Sequence, residues 1–230
     1  MDLSDPTRAV TPTLDGPVLA ALAAAGKPLT VGQVAQQAVR GSEIGIRRSL
    51  ARLVEQGIVR ATLIGRNQVH ELNRDHVAAD IAVQLANLRT TLWTRLREEL
   101  NGWRPRPVYA AVFGSAARGD GTVASDIDLL LVHPPFAGER KPTKADITDT
   151  TTELLMLRPE PNAAEQWQSH VDELRELVAR WTGNQLQVVD LSFHEWRHPP
   201  RAHQALLAEV RRDGVELIRS NAVPSRAARG

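Results

Sequence analysis

The sequence predicts a mixed α+β chain, α/β in the broad sense, built as two domains joined by a helix. Three observations predict it. Helical patterning with capping residues runs over residues 14–56 and gives way to a strand–turn–strand pattern over residues 58–72. A leucine-rich stripe at three- and four-residue spacing follows, over residues 76–100. An apolar strand, residues 108–113, then turns at Gly114-Ser115 and re-enters apolar sequence through Ser125-Asp126-Ile127-Asp128.

Residues 1–13 contain Pro6, Pro12 and several polar side chains, and a flexible arm is expected there. Residues 14–25, LDGPVLAALAAA, read as a short helix that Gly26 and Pro28 end. Thr30 suits the N-cap of a second helix over residues 31–38. After the turn Val39-Arg40-Gly41, Ser42 caps a third helix that reaches Gln56 and stops at Gly57. Ile46, Leu50, Leu53 and Val54 form its apolar stripe, and Glu43, Arg47, Arg48 and Arg52 fall largely away from it. Two strands follow, residues 58–63 and 68–72, with Gly65-Arg66-Asn67 as a hairpin turn. The first domain is expected to span residues 14–75.

Residues 76–104 are expected to form a connecting helix, with Ile81, Leu85, Leu88, Leu92, Leu96 and Leu100 along one side. Part of that stripe alternates four, three, four, as a coiled-coil seam does. A dimer through this helix is the lesser reading, and packing on its own domain the greater. Asn101-Gly102, Pro105 and Pro107 close the helix, and a second domain is expected over residues 105–220.

After the strand that starts at Ile127, His133-Pro134-Pro135 stops the sheet. Residues 134–162 are rich in Pro, Thr, Asp and Lys and read as a loop above the site, in which Lys141 and Lys144 either reach phosphate or acceptor or are simply solvated. Residues 163–181 pattern as an amphipathic helix, burying Trp167, Val171, Leu174, Leu177 and Val178. Residues 185–193, QLQVVDLSF, read as a strand whose one charge is Asp190. Alternation puts Asp190 on a face with Leu186 and Val188, where a carboxylate needs a partner. A helix over 202–212, a strand over 215–218 and a loose tail over 221–230 complete the chain. His194, His198 and His203 are discounted as a metal site, because Pro199 and Pro200 break any helix that would align them.

Composition narrows the function classes. The chain of 230 residues is 42% hydrophobic and 24% charged, as ordinary globular domains are. It has no cysteine, which excludes disulfides and thiolate metal sites. No apolar run reaches membrane-spanning length and the first residues do not pattern as a secretory signal, so a cytoplasmic protein without membrane contact is expected. Net charge is only +1, yet Arg40, Arg47, Arg48, Arg52, Arg60 and Arg66 crowd into one stretch against Glu43 and Glu55.

The chemistry is expected at residues 112–132. Asp126 and Asp128 are two apart, so on a strand they share a face, while Ile127 points the other way. Adjacent carboxylates repel unless a cation sits between them, and Mg²⁺ takes carboxylate and phosphate oxygens together. Gly114 lets backbone approach a ligand, and Ser115 offers a hydroxyl and an N–H at a helix start, where phosphate binds. The pattern reads as a site for a metal-bound triphosphate. The plainer reading is a β-turn-β unit whose aspartates cap a strand.

The stretch GSAARGDGTVASDIDL is similar to the signature of the polymerase-β-like nucleotidyltransferase superfamily, in its minimal form. Gly114, Ser115, Ala117, Arg118, Gly119, Ser125, Asp126, Asp128 and Leu129 carry the likeness. The resemblance implies a small mixed sheet flanked by helices, an NTP substrate and Mg²⁺, two ions being expected at Asp126 and Asp128. It also implies a third carboxylate on a neighbouring strand, for which Asp190 is the candidate base and metal ligand. The other reading of Asp190 is a strand-end cap. Gly114, Ser115, Arg118 and Ser125 are the expected nucleotide contacts. The first domain resembles a winged helix-turn-helix, which implies DNA contacts at Ser42, Glu43, Arg47, Arg48 and Arg52 on the third helix and at Arg66 on the wing. A protein-docking role for it stands beside that one. The resembling group includes antitoxin-like modifiers, so a protein acceptor such as a cognate toxin is among the expected partners, with RNA or a small molecule as others. Against the enzyme stands a transcriptional regulator whose nucleotidyltransferase domain only senses nucleotide.

Overall fold

Thr30 and Ser42 start two helices of the first ninety-two residues as capping chemistry requires. Thr30 and Gln33 form a reciprocal capping box at α2 (Val31–Gln37), and Ser42 Oγ accepts from the Gly45 N–H at α3 (Glu43–Glu55). With α1 (Asp15–Ala24) these helices bury Val18, Leu22, Val34, Ile46 and Leu50 almost completely. Each such side chain contributes roughly 1.5–3 kcal/mol by leaving water. Strands β1 (Leu29–Thr30), β2 (Val59–Ile64) and β3 (Asn67–Leu72) make an antiparallel sheet in the order β1-β3-β2. Val59 pairs with Leu72 and Ile64 with Asn67, so the hairpin closes at Gly65, whose φ of +61° suits a tight turn.

The computed structural model describes residues 1–140 and 161–220, and the chain divides into two compact units, residues 1–92 and 93–230. Lys141, Lys144 and the tail over 221–230 lie outside the described residues. Two expectations are corrected in the first unit. The opening residues are not a loose arm: Leu3 is fully buried, Pro6–Ala9 forms a 3-10 turn, and Asp5 pairs with Arg40 at 2.5 Å. The sequence offered little apolar material there, and the anchoring is done by buried carboxylates instead. The long helix is also not continuous. It breaks between α4 (Ala79–Ala86) and α5 (Leu88–Gly102) at Asn87, whose side-chain Nδ2 donates to the Val83 carbonyl. Asparagine competes for helix carbonyls in this way. The division between the units falls within α5.

In residues 93–220 four strands make a mixed sheet, β4 (Tyr109–Phe113), β5 (Ile127–His133), β6 (Leu186–Ser192) and β7 (Val215–Arg219), in the order β6-β5-β4-β7. β4 is antiparallel to both neighbours, and β5 and β6 run parallel. Residues in register share a face. Phe113, Asp128 and Gln187 therefore face one way, with Ala111, Leu130 and Val189 beyond them. That face packs on Phe193, Leu207 and Val210, from α8 (Phe193–Arg197) and α9 (Arg201–Asp213). The opposite face holds Leu129, Leu131 and Asp190 and meets α7 (Ala163–Thr182), through Trp167. No helix among the described residues is long and apolar enough to cross a membrane.

Candidate active site

β4 ends at Phe113, and the chain turns through Gly114, at φ +68°, into the five-residue helix α6 (Gly114–Arg118). Side chains strain in that conformation, and glycine takes it freely. Space demands glycine as well, since a Cβ there would stand 2.4 Å from Asp128 Oδ2. The Asp128 carboxyl is thus seated against bare backbone. Asp126 lies just before β5, on the same side by alternation. Partial burial pushes the Asp128 carboxyl above the usual range, the charges of Asp126 and Glu209 push it further, and Arg118 pulls it back.

The turn that delivers Asp126 has its own fastening. Thr122 N–H donates to Ser125 Oγ at 2.9 Å. Asn184, buried at the start of β6, donates from Nδ2 to the carbonyls of Val123 and Ser125 at 3.2 and 2.9 Å. Ser125 therefore shapes the turn through its hydroxyl. No local signal in the sequence marked Asn184 for this role. Arg118 bonds Asp120 Oδ2 through Nε at 3.2 Å and Glu209 Oε1 through Nη1 at 2.7 Å. Both partners hold its guanidinium more firmly charged. Glu209 comes from α9, ninety-one residues away in sequence, and no local pattern marked it.

Asp190 is the correction at this site. It registers with Leu131, three residues beyond the Asp128–Gln187 pair and on the other face of the sheet. That is about 10 Å along the strand before the change of face is counted. Its Oδ2 accepts from Trp167 Nε1 at 2.8 Å, and its titratable neighbours are His133, Glu139 and Glu195. Partial burial raises its carboxyl, against the pull of the Trp167 bond, although the residue keeps an exposed side. It does not join Asp126 and Asp128. The strand position that does face them holds Gln187, whose Nε2 donates to Asp126 Oδ2 at 3.3 Å.

Among the described residues no three His, Cys, Asp or Glu side chains are gathered to hold a metal. The Asp126–Asp128 pair still fits one hard divalent cation. Both bring carboxylate oxygens, and partial burial first and the Asp126 charge second raise the Asp128 carboxyl, a cost that a cation relieves. An open cleft of about 510 Å³ lies elsewhere, lined by Arg95, Glu98, Trp103, His170 and Trp181, and takes in none of these residues.

The arginine-rich stretch of the first unit is largely paired off. Arg40 is tied to Asp5, Arg52 to Asp15, and Arg60 to Asp75, while Arg47 bonds Glu43 one turn away. Arg52, expected at a nucleic-acid surface, joins α3 to α1 through Asp15. Ser42 caps α3 through its hydroxyl. Arg48 and Arg66 are exposed and make no ion pair among the described residues.

Comparison with known proteins singles out the same stretch. Residues 91–179 match the sequence model of a family described as a nucleotidyltransferase domain. The match takes in Gly114, Ser115, Arg118, Asp126 and Asp128, and stops short of Gln187, Asp190 and Glu209. Nucleotidyl transfer is the general chemistry it supports, with an NTP and a divalent metal as that family's usual requirements. No curated protein matches the chain.

Proposed function

We propose that the second unit is a Mg²⁺-dependent nucleotidyltransferase that moves a nucleoside monophosphate from an NTP to a hydroxyl of a protein, RNA or small-molecule acceptor. The observation that carries this reading is the seating of Asp128 against Gly114 with Asp126 beside it. Ser115 offers its hydroxyl and the first-turn N–H groups of α6 to the terminal phosphates. Bound Mg²⁺ supplies stabilisation of charge on the phosphoryl oxygens. Asp126 and Asp128 fix where that charge sits relative to the glycine turn. Arg118 neutralises phosphate in exchange for Asp120 and keeps its bond to Glu209. In the transfer the acceptor oxygen bonds to the α-phosphorus, the bond to the bridging oxygen breaks, pyrophosphate leaves, and the hydroxyl proton passes to water.

The first unit is read as a winged helix-turn-helix that docks DNA or a protein acceptor, such as a cognate toxin. The order helix, strand, helix, helix, hairpin supports it. Arg48 and Arg66 are the side chains available to phosphate or guanine. A second reading is a regulator whose nucleotide site senses without turnover. Asp190 favours it, because the residue expected to act as base lies on the wrong face of the sheet.

The test incubates the protein with α-labelled nucleoside triphosphates, Mg²⁺ and candidate acceptors, beside Asp128→Asn. Label transfer and pyrophosphate release by the native chain alone support the enzyme. Nucleotide binding that Asp128→Asn abolishes, with no release from either protein, supports the sensor. Binding that Asp128→Asn leaves unchanged sinks both.

A further inference from the structure

Gln187 occupies the one β6 position level with Asp128 and on its face. Their Cα atoms are about 5 Å apart across the parallel ladder. The amide donates to Asp126 at 3.3 Å and is otherwise open to solvent. A carboxylate here would stand with Asp126 and Asp128 around one point. The amide brings a neutral acceptor instead. Among the described residues no other acid takes this place, since Glu209 is held by Arg118 at 2.7 Å and Asp190 faces the opposite side. Two divalent ions about 4 Å apart repel strongly and are normally bridged by several anionic ligands. The pair of aspartates supplies anionic ligands for one.

We propose that Gln187 sets the cation number of this site at one, so that the site holds metal-bound triphosphate firmly and turns it over slowly. This rests on the metal–nucleotide reading above. Gln187 leaves Asp126 and Asp128 to a single ion shared with the phosphates. It withholds the carboxylate that a second ion, or the acceptor's proton, would use.

The test counts Mn²⁺ bound by the full chain with a non-hydrolysable ATP analogue, using the electron paramagnetic resonance signal of free Mn²⁺. The native protein takes one ion per ternary complex. Gln187→Glu, which keeps the side chain's shape, takes two and releases pyrophosphate on the order of 100-fold faster. Gln187→Ala stays at one. Gln187→Asp serves the same purpose if the glutamate variant fails to fold. Two ions in the native complex, or one in both acidic variants, overturn the proposal while leaving the nucleotide site standing. A native chain that takes no analogue at all removes the underlying site and this inference with it.

Discussion

Gly114 shows how much one residue decides here. Its φ of +68° and the 2.4 Å approach of Asp128 Oδ2 to its missing Cβ are separate demands, and only glycine meets both. Gly114→Ala should lose about 1–2 kcal/mol from the backbone alone and should also displace the Asp128 carboxyl. Urea unfolding and nucleotide titration check the two effects separately. Native stability together with native nucleotide affinity would show that the turn does not cradle the carboxylate. Gly114 and the Asp126/Asp128 pair were legible in sequence because glycine turns and two-residue carboxylate spacing are local signals. Asp190 was misplaced for a definite reason. Alternation grouped it correctly with Leu186 and Val188, but a strand's own pattern does not say which side of the sheet that group will face. The parallel register of β6 on β5 decides that, and it brings forward Gln187, the polar member of the other group. Glu209 reaches the site from a distant helix, and only the tertiary fold places it.

Among the elements, α3 separates structural arginines from available ones. Asp15 accepts from Arg52, Ser49 and Thr13, and joins α1 to α3. Partial burial pushes its carboxyl up, and those three bonds outweigh that and hold it below the usual range. Arg52→Ala should cost about 0.5–1 kcal/mol, the modest figure that suits a half-exposed pair, and leave any DNA affinity unchanged. Arg48→Ala with Arg66→Ala should do the reverse. Stability should stay put, and the slope of log affinity against log salt should fall by about 0.9 for each phosphate that an arginine no longer neutralises. Fluorescence anisotropy with duplex DNA over a salt series, beside thermal melts, tests the contrast. If Arg52→Ala weakens DNA binding and the double variant does not, the helix face has been read the wrong way round. The stripe of α3 was legible because Ile46, Leu50 and Leu53 repeat at helical spacing. The pairing of Arg40, Arg52 and Arg60 in this stretch was not, since their partners Asp5, Asp15 and Asp75 come from elsewhere in the chain. Asn87 hid the break in the next helix for a related reason, because the apolar stripe runs on across it.

At the scale of the whole molecule the two units should answer acid differently. His70, on β3, is 4% exposed, and its Nδ1 is buried without a hydrogen-bond partner among the described residues. Burial pushes its pKa down, only partly offset by its bond to the Leu29 backbone. A histidine so depressed favours folding when neutral. Its contribution is complete above the unfolded value of about 6.5 and is lost as pH falls from there towards the folded value. Asp2 and Asp15, both held low, add a second loss in the same unit below about pH 4. Asp128 and Asp190, in the other unit, have raised carboxyls, so protonation relieves them and their share of stability rises as acid is added. Hydrogen exchange at pH 7 and pH 5, corrected for intrinsic rates, should therefore show protection falling in β2 and β3 while β4 and β5 hold theirs. His70→Phe should flatten that fall, because the titrating group is gone while an aromatic ring still fills the space. Equal losses in both sheets, or an unaltered slope in His70→Phe, would mean that the buried imidazole is not what ties the first unit's stability to neutral pH.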